Sequence, residues 1–133
     1  MRKILTAFAF AATLSCLGAQ GVSATDARAE KSPLVALKQK VDEAAFVGER
    51  AEKDRAALSG RVEKVSAAVR EGNFCEALKG LTVFKFYVSR FSYHVGSLKS
   101  ERDERELVSL ANKAARQIRQ RADRLRIDCP LPQ

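Results

Sequence analysis

The sequence predicts an all-α fold: an antiparallel bundle of three helices, or four if the first folds back on itself, closed by one disulfide. Three observations lead there. Apolar residues recur at alternating steps of three and four along most of the chain, as helix-packing seams require. Gly and Pro are sparse, at 7 and 3 of 133 residues, while Ala, Leu, Val, Glu, Lys and Arg dominate. Two cysteines, Cys75 and Cys129, remain once the apolar N-terminal segment is set aside.

That segment reads as an export signal over residues 1–24. Arg2 and Lys3 give a positive start, and Ile4 to Leu17 form an apolar run of h-region length, too short to span a bilayer as a mature helix. Val22-Ser23-Ala24 places small residues where signal peptidase needs them, so cleavage is expected after Ala24. Leu14-Ser15-Cys16 offers an alternative, lipidation at Cys16, although Thr13 occupies the position where an aliphatic residue is usual. Residues 25–32 then form a flexible lead, 33–129 the bundle domain and 130–133 a short tail. The expected address is periplasmic or secreted, with no transmembrane anchor after cleavage. An oxidising compartment favours pairing Cys75 with Cys129. Closing a loop of that length contributes about 4 kcal/mol in the chain-entropy treatment.

Ser32-Pro33 opens the first predicted helix, with Pro33 suited to its first position. Its seam runs Leu34, Leu37, Val41, Ala44, Gly48, Ala51, Arg55, Leu58, Val62, Val65 and Val69 without a slip, and Gly72-Asn73 ends it. The second helix carries Phe74, Ala77, Leu81, Phe84, Val88, Phe91, Val95 and Leu98. Val83 to Val88 is locally strand-like, but helical spacing on both sides outweighs it. After a polar turn near 100–103, the third helix carries Leu107, Ala111, Ala114, Ile118, Ala122 and Leu125. A hairpin turning near 101 sets Cys75 opposite Cys129 and Phe91 opposite Ala111, a large side chain meeting a small one. In this register residues 33–44 overhang the hairpin by about 18 Å at 1.5 Å per residue. Either the first helix breaks at Ser59-Gly60 and folds back, or the overhang exposes Leu34, Leu37 and Val41 to a partner.

The residue inventory argues against catalysis. His94 is the single histidine, so a multi-histidine metal cluster is ruled out, and the cysteines are better used in a disulfide. Neither a haem-attachment motif, a phosphate-cradling glycine loop nor a nucleophile motif occurs. No enzyme, cofactor or metal is therefore expected. No motif run identifies a family.

Three features remain for binding. On a helical wheel Phe86 and Tyr93 lie opposite the Phe84/Phe91 seam, beside Val83 and Arg90, and Phe46 is off the seam of the first helix. Aromatic and arginine side chains on a polar face are typical interface anchors, so these residues and the Leu34–Val41 end form a candidate partner surface. The outer face of the last helix carries Lys113, Arg116, Arg119, Arg121, Arg124 and Arg126 against Asp123, a local excess of +5 within a chain of net charge +8. It suits an anionic lipid or glycan, while an exported address disfavours nucleic acid. Tyr87, His94 and Glu101 share a helix edge at heptad spacing, an arrangement that is usually structural. The expected function is an adaptor in the cell envelope that binds an envelope protein or itself; the alternative is an anionic-polymer or membrane-surface binder.

Overall fold

Pro33 does begin a helix, and the helix it begins is short. In the computed structural model, which describes residues 32–130, α1 spans Pro33–Glu43 and α2 spans Ala51–Arg70. Helix α3 covers Phe74–Arg90 and runs on into a π-helical turn at Phe91–Val95; α4 covers Glu101–Arg124. Each helix packs on its chain neighbours, and α1 also packs on α4, which closes an up-and-down four-helix ring.

The break in the first heptad run lies at 44–50, and α2 passes through Ser59-Gly60 uninterrupted. Ala44 turns extended (ψ 141°), and Gly48 adopts a left-handed φ of +89°, a geometry that costs glycine least. Folding back solves the burial problem that a straight helix would leave. Leu37 and Val41 become fully buried core residues instead of an exposed overhang, and Leu34 packs half-buried against the same core. The expectation that these three residues form a partner surface is thereby corrected. Phe46 is corrected too: it is only 8% exposed, bridges Leu98 and lies 5.5 Å from the Arg55 guanidinium. Removing these apolar groups from water outweighs an unbroken run of helical hydrogen bonds.

The remaining caps follow local sequence closely. At the end of α2, Asn73 N–H donates to Ala68 O (2.8 Å) and Gly72 N–H to Val69 O (3.2 Å), the paired bonds of a Schellman terminus, with Gly72 at φ +79°. The end of α4 repeats the pattern through Ile127 and Arg126, and here an arginine takes the left-handed position, at φ 58°. That turn leads the chain to Cys129, which forms the disulfide with Cys75, Cα–Cα 5.1 Å, at the end of the α3/α4 hairpin opposite its connecting loop.

At the other end, one carboxylate holds two loops together. Ser100 caps α4 by accepting from Asp103 N–H (3.2 Å), while the Asp103 carboxylate accepts from Ala45 N–H (3.0 Å) and Lys40 Nζ (2.7 Å). The Ala45 amide, then Lys40, hold its pKa below the usual aspartate value despite partial burial. Lys40, shared with Glu106 at 2.6 Å, is held above the ordinary lysine value by hydrogen bonds to Asp103 and then Glu106. Val47 N–H donating to Ser97 O (2.8 Å) adds a second tie between the same loops.

Candidate functional site

Helix α3 carries two parallel seams offset by two residues. The inner one, Ala77, Leu81, Phe84, Val88 and Phe91, is buried. The outer one, Lys79, Val83, Phe86, Arg90 and Tyr93, steps by four, three, four and three along the solvent side. Its apolar members remain uncovered: Val83 is 40% exposed, Phe86 61% and Tyr93 75%. Tyr93 lies within the π-helical turn, two residues on from buried Phe91 and on the opposite side of the helix.

The strip rests on a firm foundation. Phe86 meets Tyr87 edge-on at 5.8 Å, and Tyr87 meets Phe91 edge-on at 5.8 Å, so a line of rings runs from surface to core. Arg61 of α2 sits 3.7 Å over the Tyr87 ring and anchors it from the neighbouring helix. Beside Val83, α2 and α3 come together closely at Gly80, where an added Cβ would fall 2.7 Å from Val65 Cγ2. Lys79 and Arg90 are both exposed and neither makes an ion pair among the described residues.

The cations of α4 are arranged differently. Lys113, Arg116, Arg119, Arg121 and Arg124 are all exposed, but at 3.6 residues per turn they fan over roughly 200° of the helix surface. Arg121 leans toward the Phe74 ring at 5.5 Å, and Arg126 lies beyond the helix in the left-handed turn. They make a broad positive field, and of the five only Arg121 and Arg124 line a common cavity, the one they share with Gln117 and Gln120, among the described residues. His94 is exposed, and Tyr87 is half-buried under Arg61. Val95 and Leu125, expected to be buried on their seams, are 40% and 57% exposed.

Among the described residues no group of three or more His, Cys, Asp or Glu side chains is placed to hold a metal ion. No helix among them is long and apolar enough to cross a membrane. Sequence reasoning missed the Lys40/Asp103/Glu106 cluster and the Arg61–Tyr87 stack. Ser100-x-x-Asp103 resembled a helix start and could have flagged the first; the stack joins residues 26 apart, with no local signal.

What fold and surface define is a disulfide-stapled four-helix bundle with a preorganised aromatic–cationic strip on one helix. No family model, no curated protein and no solved structure matches the chain.

Proposed function

We propose that this chain is an exported protein-interaction module of the cell envelope, working through the outer strip of α3. The observation that carries the reading is the alignment of Val83, Phe86 and Tyr93 on one helix face while the core of the bundle is already complete without them. Apolar side chains scattered singly on a surface need no explanation, but three on one seam, interspersed with Lys79 and Arg90, have the composition of a binding surface. The export signal read at residues 1–24 lies outside the described residues; it supports a periplasmic or secreted address, as does the disulfide. The protein acts by binding, with no reaction of its own.

The test is capture of a partner from envelope extract by the oxidised protein. Phe86→Ser with Tyr93→Ser should abolish capture and leave the thermal midpoint within a few degrees, because neither side chain is buried. Normal capture by the double variant would overturn the reading.

The positive field of α4 favours a second reading, attachment to an anionic lipid or glycan surface. Its signature is affinity that collapses with added salt and with Arg116→Glu plus Arg119→Glu. Salt-indifferent binding would rule it out.

A further inference from the structure

We infer that the partner presents an acidic amphipathic helix that lies along the outer strip of α3 as a fifth helix. The inference rests on the interaction-module reading and specifies its partner. The strip is a packing seam by its spacing: residues 79, 83, 86, 90 and 93 alternate steps of four and three, the repeat by which one helix meets another. Lys79 and Arg90 bracket the apolar pair Val83 and Phe86, Tyr93 lies beyond Arg90, and neither cation has an anionic partner among the described residues. The Tyr87 and Phe91 rings beneath Phe86 are held by their edge contact and by Arg61 over Tyr87, so the base of the strip is already in place for docking.

Charge then selects the occupant. A second copy packed antiparallel would turn Lys79 toward Arg90 of its twin, within a chain already at net +8. Like charges so opposed cost affinity, which excludes self-pairing as the intended use. A lipid surface would satisfy the cations but makes no demand for three–four spacing. An acidic helix meets both conditions. Lys79 and Arg90 are eleven residues apart, about 16 Å along the axis at 1.5 Å per residue. The partner therefore carries two carboxylates eleven residues apart on one face, with apolar side chains between them to cover Val83 and Phe86.

The experiment places the photo-crosslinker p-benzoylphenylalanine at position 86 of the full exported chain, illuminates the living source cells, and sequences the joined segment by mass spectrometry. The proposal expects a helical segment with acidic residues eleven apart flanking an apolar seam. It also expects Lys79→Glu with Arg90→Glu to lower the crosslink yield about tenfold or more, the equivalent of 1.4 kcal/mol, with unchanged thermal unfolding of the variant. A crosslinked protein segment lacking that pattern, or a yield indifferent to charge reversal, overturns the acidic helix and leaves the interaction module standing. Crosslinks confined to a second copy of the chain overturn the acidic helix alone, and crosslinks confined to lipid or glycan overturn both.

Discussion

Replacing Asp103 by alanine should uncouple the two loops at one end of the bundle. The carboxylate accepts a backbone hydrogen bond from Ala45 at 3.0 Å and one from Lys40 at 2.7 Å, and it sits in the first turn of α4, where helix amides favour negative charge. A hydrogen bond to a charged acceptor contributes about 1.5–3 kcal/mol, and a carboxylate at a helix N-terminus about 0.3–1 kcal/mol. Lys40 keeps Glu106 at 2.6 Å, so removing Asp103 does not strand a cation. The expected loss is about 3 kcal/mol, or roughly 12–24 °C in the thermal midpoint of a domain this size. Asp103→Asn keeps an oxygen for the Ala45 amide and should lose about half as much. Urea and thermal unfolding give the magnitude; hydrogen exchange at Ala45, Phe46 and Val47 locates it, since those amides should open first. A loss below about 0.5 kcal/mol, or one without faster exchange in that loop, would refute the assignment.

The pH dependence follows from the same contacts. The Asp103 pKa is held down by the Ala45 amide and Lys40, so its stabilisation is complete above the ordinary aspartate value of about 3.9. It is lost as the pH falls from there through the lower folded-state value, and Asp103→Asn should flatten that part of the acid limb. Lys40 is held up by Asp103 and Glu106, so its contribution is complete below the ordinary lysine value of about 10.4 and is lost as the pH rises beyond it.

Two further outcomes are expected. Cys75→Ser with Cys129→Ser, or reduction of the native bond, should remove about 4 kcal/mol in chemical denaturation, given the 54-residue separation; a loss below about 1 kcal/mol would show that other contacts already hold those ends together. Leu37→Ala should cost about 2–5 kcal/mol because the side chain is fully enclosed, and an unchanged midpoint would mean that α1 is not part of the core.

Much of the candidate site was legible because it depends on one helix. Phe86, Val83, Arg90 and Tyr93 share a face through spacing alone, and the structure leaves all four exposed. What supports them was hidden: the Arg61 contact comes from another helix, and the π-helical turn that carries Tyr93 has no simple sequence signature. The Leu34–Val41 end illustrates the opposite case. Its apolar seam was visible, but whether it faced solvent or core depended on where the chain bent.

The sequence by itself determined the helical class, the buried seams of α3 and most of α4, and the helix end at Gly72. The pairing of Cys75 with Cys129 followed from seam register. These depend on residue spacing and short-range backbone chemistry. The tertiary structure decided that the bend falls at 44–50, making four helices of the candidate three. Local spacing could not choose, because Gly48 and Gly60 are both compatible with the heptad. The bend at Gly48 sets α1 where Leu37 and Val41 are enclosed, Phe46 reaches Leu98, and Asp103 ties Ala45 to Lys40. Those contacts join residues up to 63 apart, and their energy exists only once the bundle has closed.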